Sequence, residues 1–105
     1  MHANPVAALP ALNGAPQGGI VLSGHTDVVP VEGQRWDTDL FVVVGREGTL
    51  HGRGACDMRG FVAVRVTLVL ELVAMQRARP IHSAFSFDEE VGCAGARLDG
   101  GFRFV

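Results

Sequence analysis

The sequence predicts an α/β fold in which a mixed sheet is joined by a helical crossover. Three observations carry this reading. Residues 19–23 and 81–87 are apolar segments of strand length, the first continuous and the second alternating. Residues 58–79 are also mostly apolar, but they run well past the ~10 residues at which strands usually stop, so they read as a helix despite their valines. Polar groups, among them His25, Asp57 and Glu89-Glu90, interrupt or end the apolar segments, and open α/β sheets bind ligands beyond the carboxyl ends of their strands.

Size and composition narrow the possibilities. The chain has 105 residues, about one domain, and is 48% apolar and 19% charged, enough to bury a core and too apolar for disorder. The net charge of -2, with no basic cluster interleaved with aromatics, argues against a nucleic-acid partner. No basic segment followed by an apolar one opens the chain, so no export signal is read there. The longest apolar run, residues 61–75, is broken by Arg65 and Glu71 and falls short of the ~18 residues of a membrane span. A cytoplasmic protein with no membrane partner is the default expectation. Cys56 and Cys93 lie far apart without a C-x-x-C spacing, and both are expected as reduced, buried thiols.

In chain order, residues 2–9 predict a strand that Pro5 confines to a sheet edge. Residues 10–19 are a loop rich in Gly, Pro, Asn and Gln, and residues 19–23 a short buried strand. Gly24 is expected to turn the backbone there, and alternation puts His25 and Asp27 on one side. Residues 30–39 form a polar loop with the only tryptophan, Trp36. Residues 41–44 and 49–52 predict a hairpin closed by residues 45–48. In the helix over 58–79, Arg65, Glu71 and Gln76 mark the wetter positions, Arg77 and Arg79 suit its carboxyl end, and Pro80 stops it. A further helix is expected from Gly92 to about Leu98, broken by Asp99-Gly100-Gly101.

Each polar group also has an ordinary reading. Asp88-Glu89-Glu90 alone is a solvated acidic loop, whose like charges raise one another's pKa. His25 alone is a hydrogen-bonded strand-end histidine, and Asp57 alone could be a helix N-cap. His2, His51 and His82 read as structural or surface groups, Arg53 as an ion-pair partner, and Asp88 as a support for the strand-end turn. Together, a histidine and several carboxylates from separate segments are the donors of a site for hard or borderline divalent cations.

Three motifs in fixed order sharpen this. The segment Ser23-Gly24-His25-Thr26-Asp27-Val28-Val29-Pro30 resembles the first metal-site motif of the dinuclear zinc deacylases and carboxypeptidases. Gly52-Arg53-Gly54-Ala55-Cys56-Asp57-Met58-Arg59-Gly60 resembles the second, which usually has lysine where Arg59 stands, and Asp88-Glu89-Glu90 resembles the third. The likeness runs over residues 19–96 and is nearest to the subgroup that deacetylates an N-acetylated amino acid in arginine synthesis. It implies the partial catalytic domain of a zinc-dependent exopeptidase-like fold. It also implies two zinc ions, with cobalt as an alternative, and a small N-acylated amino acid as substrate. His25 would bind one zinc, Asp57 would bridge both, Glu90 would bind the other, and Glu89 would act as general acid and base. Asp27 would accept the imidazole N–H of His25, and the peptide between Asp57 and Met58 would be cis.

The same resemblance marks what is not matched. The family uses five metal ligands, and three have counterparts here. The others, a carboxylate beyond the third motif and a histidine near the carboxyl terminus, find none, because Asp99 follows Glu90 too closely. Residues 1–105 are therefore expected to be an amino-terminal fragment of a catalytic domain, without the inserted domain through which full-length members form homodimers. Alternatives are another deacylase or carboxypeptidase of this family, such as a desuccinylase, and a non-catalytic fragment binding at most one metal.

Overall fold

The computed structural model describes residues 3–98 and has the α/β arrangement expected. His2, at the start of the first expected strand, and the expected break at Asp99-Gly100-Gly101 lie outside the described residues.

A three-stranded mixed sheet forms the centre, with β1 (Val6–Leu9), β5 (Ile81–Ser86) and β2 (Ile20–His25) side by side in that order. β1 runs antiparallel to β5, pairing Val6 with Ala84 and Leu9 with Ile81, and occupies the edge that Pro5 allows. β2 runs parallel to β5, from Ile20 opposite Ile81 to His25 opposite Ser86. Parallel neighbours need a long crossover, and the intervening chain supplies it through a separate hairpin and two helical segments.

β2 is longer than expected and reaches His25 itself. Gly24 does not turn the chain there. A Cβ on it would come 3.0 Å from Met58 Cε and 3.3 Å from Phe61 Cδ1, so the missing side chain lets the following helix approach the strand. Nor is the amino half of β2 buried, since Ile20 and Val21 are exposed. Continuous apolar sequence signals a strand able to be covered on both faces, and the described residues cover it incompletely.

The hairpin is also shifted. β3 (Val44–Arg46) pairs with β4 (Thr49–His51), and the turn shrinks to Glu47-Gly48. Both turn residues have positive φ, 50° and 77°, as the tight primed turns that match strand twist require.

The helix begins close to expectation but is shorter and broken, as α1 (Arg59–Thr67) and α2 (Val69–Ala74). Thr67 Oγ1 donates to the carbonyl of Ala63 at 2.8 Å, a back-bond of the kind that bends helices just where α1 ends. Pro80 is not what stops α2. Arg77 folds back, donating from Nη1 to the carbonyls of Leu72, Val73 and Met75 and from Nε to that of Pro10. It closes the helix end with a charge suited to that pole of the macrodipole.

Burial follows from this thin architecture. Ala84 and Pro80 carry the buried apolar side chains among the described residues, whereas Val64, Val66, Leu70 and Val73 of the helices are exposed. The apolar content expected to make a core therefore lies largely on the surface. Arg65, expected at a wet position, is buried instead. Both cysteines are free as expected, yet exposed rather than buried.

Candidate metal centre

The carboxyl end of β2, the loop before α1 and the turn after β5 meet at one place. Backbone hydrogen bonds continue the strand pairing past the sheet, with Thr26 N–H donating to the Ser86 carbonyl at 3.0 Å. This carries Asp27 towards the residues that follow β5. The Glu90 N–H donates to Asp27 Oδ2 at 3.0 Å, tying the first motif to the third. Arg59 ties the second motif to the first, donating from Nε to the Thr26 carbonyl at 3.2 Å. The peptide between Asp57 and Met58 is cis. Asp57 is not a helix cap, since Met58 holds that position without a side-chain cap bond.

Of the residues singled out from sequence, His25, Asp57 and Glu90 each offer a donor atom within 4.8 Å of the other two. His25 is buried, with a side chain 7% exposed, whereas the Asp57 side chain is 74% exposed. Glu89 joins them, its Oε2 3.8 Å from His25 Nε2. Asp88 stands apart from this donor group and takes a positive φ of 48° in the turn, in keeping with a supporting role.

The imidazole is oriented from one side. Its Nδ1 lies 3.2 Å from the main-chain carbonyl of Asp27 and 3.5 Å from that residue's Oδ1. A carbonyl can only accept, so Nδ1 carries the hydrogen. Asp27 accepts this hydrogen bond through its main-chain oxygen. The Asp27 carboxylate instead accepts from the Glu90 backbone, and its buried Oδ1 has no hydrogen-bond partner.

With Nδ1 so fixed, Nε2 faces Asp57 Oδ1 at 3.3 Å and Glu89 Oε2 at 3.8 Å. Both are acceptors. A neutral ring would aim a lone pair at them, so Nε2 needs either a second proton or a cation. An imidazole nitrogen among carboxylate oxygens is a donor set that suits zinc and related divalent ions. The residues present therefore fit such an ion.

Electrostatics follow the same logic. For His25, burial is the largest influence and lowers the pKa. The hydrogen bond to Asp57, the Asp27 carbonyl and the charges of Asp27 and Glu89 outweigh it, leaving the value above the ordinary 6.5. Burial likewise acts most strongly on Asp27, raising its pKa. Backbone hydrogen bonds from Glu90 and Glu89, with the charge of His25, overcome it and hold the value below the ordinary 3.8.

Some supports gave no local signal. Asn4 donates to the Gly95 carbonyl at 2.8 Å and accepts from the Phe87 N–H at 3.3 Å, bracing the turn that carries Glu89 and Glu90. Cys93 Sγ lies 3.7 Å from Glu89 Oε1. Arg53, expected in an ion pair, instead donates to the Val29 carbonyl at 2.6 Å and lies 6.0 Å from the Trp36 ring centre.

The chain is 39% identical over 84 residues to an acetylornithine deacetylase of Proteus mirabilis (strain HI4320), and 39% identical over 85 residues to one of Yersinia pestis. These alignments cover 80% and 81% of the chain, which spans 22% of the length of either relative. The sequence profile of Peptidase family M20/M25/M40 matches residues 21–100, a stretch containing all three motifs. The chain belongs to peptidase family M20/M25/M40.

Proposed function

We propose that these residues are part of the catalytic domain of a metal-dependent amide hydrolase that removes the acetyl group from N2-acetyl-L-ornithine. The observation that carries this reading is the convergence of His25, Asp57 and Glu90 around His25 Nε2, with Glu89 alongside. The relatives' names support the substrate, and the donor chemistry supports zinc or cobalt. By the same resemblance, the parent protein acts as a cytoplasmic homodimer in arginine synthesis.

His25, Asp57 and Glu90 would hold the metal, each offering a donor atom to the same place. A bound pair of zinc ions would supply Lewis-acid polarisation of the amide carbonyl and a water acidic enough to lose a proton near neutrality. Asp27 keeps Nε2 of His25 free by occupying Nδ1 through its main chain, and it holds the Glu90 backbone through its side chain. Glu89 accepts the proton from the attacking water and returns it to the leaving amine. The adjacency of Glu89 and Glu90 divides these duties, one carboxylate binding while its neighbour carries the proton.

With counterparts of three of the family's five ligands, the 105-residue chain is expected to bind at most one metal ion and not to turn over substrate. Zinc titration of the purified chain tests the ligand assignment, with His25→Ala and Glu90→Ala expected to weaken binding. Unchanged affinity in both variants would show the assignment to be wrong. Zinc-dependent hydrolysis of N-acetylornithine by the 105-residue chain would refute the incompleteness of its site.

A further inference from the structure

We propose that Cys93 is a positioning residue for Glu89, its thiol donating to Oε1 so that Oε2 stays turned towards His25. The proposal rests on reading Glu89 as the proton carrier. Cys93 Sγ is 3.7 Å from Glu89 Oε1, while Glu89 Oε2 is 3.8 Å from His25 Nε2, so each carboxylate oxygen faces a different group. The turn that brings the thiol back is itself hydrogen-bonded. The N–H groups of Gly92 and Cys93 donate to the Glu89 carbonyl at 3.2 and 2.9 Å.

The chemistry of the donor matters. A lysine or arginine here would hold the carboxylate in a charge-assisted pair and reduce its readiness to take a proton. A thiol is a weak, neutral donor, which orients the group without pairing its charge. Glu89 is 43% exposed, so without such a contact its side chain could rotate away from His25. Cys93 also occupies a backbone position with φ of 56°, which glycine would adopt at less cost. The left-handed turn alone therefore favours a residue without the thiol.

The test uses the full 105-residue chain and does not depend on turnover. In a Cys56→Ser background Cys93 is the remaining thiol, and its S–H stretching band is read by infrared spectroscopy. Adding Glu89→Ala is expected to move the band to higher wavenumber as the donor is freed. In parallel, Cys93→Ala should shift the Glu89 carboxyl carbon resonance, and Cys93→Ser, which restores a donor, should move it back. An unmoved S–H band overturns the proposal, as does an equal resonance in the alanine and serine variants. If Cys93→Gly, with no donor but a relaxed turn, reproduces the parent resonance, backbone geometry is responsible and the proposal fails. Failure of the metal-site reading is separately visible, because it appears as unchanged zinc affinity in His25→Ala and Glu90→Ala.

Discussion

Replacing Asp27 with alanine removes one side chain that touches both the His25 ring and the Glu90 backbone. Its Oδ2 accepts the Glu90 N–H at 3.0 Å, and its Oδ1 stands 3.5 Å from His25 Nδ1. The side chain is 18% exposed, so solvent screens these interactions little. A hydrogen bond to a charged group contributes about 1.5–3 kcal/mol. The buried Oδ1, without a hydrogen-bond partner, offsets part of that, so a loss near the lower end, about 1.5–2 kcal/mol, is expected in urea unfolding. Removing a support behind metal ligands typically lowers affinity about 10–100-fold, and zinc titration should show a loss in that range. Asp27→Asn separates the two effects. Its amide oxygen can still accept from Glu90, so stability should stay nearer the parent, while the lost charge beside His25 should still weaken zinc binding. If Asp27→Ala changes neither the urea midpoint nor the zinc affinity, Asp27 does not join the two segments as argued.

Gly24→Ala should destabilise the chain by about 1–3 kcal/mol in urea unfolding, because the new methyl group meets Met58 and Phe61 across a tight interface. A variant as stable as the parent would mean that α1 yields at no cost. Zinc binding should weaken by about tenfold per pH unit as pH falls through the raised pKa of His25, since the same Nε2 takes proton or metal. Without metal the sign reverses: the imidazolium's contribution to stability is complete below 6.5 and is lost as pH rises through the folded value. Asp27, held below 3.8, contributes stability that is lost only as pH falls through its lower folded value. Glu89→Gln should leave zinc affinity near that of the parent chain in calorimetry, since Glu89 carries a proton rather than metal in this scheme.

Much of the sheet was legible because its signals are local. The apolar alternation of residues 81–87 became β5, Pro5 marked an edge, and a segment too long for a strand became the crossover helices. The meeting of His25, Asp57 and Glu90 was legible only as three motifs taken together, since each residue alone has a commoner use. What could not be read depended on distant partners. Gly24 looked like a turn because nothing in its neighbours reveals that Met58 and Phe61 will pack upon it. Asn4 lies 91 residues from the Gly95 carbonyl it braces, with no spacing to betray the pair. Arg77 was visible as a charge suited to a helix end, but not as the side chain that gathers three of that end's carbonyls. Composition, likewise, measures how much apolar surface could be covered and says nothing of what covers it.

The donor group is unequal in its parts, and the inequality follows from where each part is anchored. His25 ends a strand paired to the central β5, and its ring is braced at Nδ1, so Nε2 is held in one direction before any ion arrives. Glu90 is fixed at its backbone by Asp27, which leaves its side chain to adjust. Asp57 stands on a loop outside the sheet with its side chain 74% exposed. A side chain so exposed retains rotamer freedom that must be given up on coordination. His25 and Asp27 therefore supply the preorganised half of the site and Asp57 the adaptable half. Such freedom lets Asp57 turn towards a cation near His25 Nε2 without displacing the strand that orients the histidine.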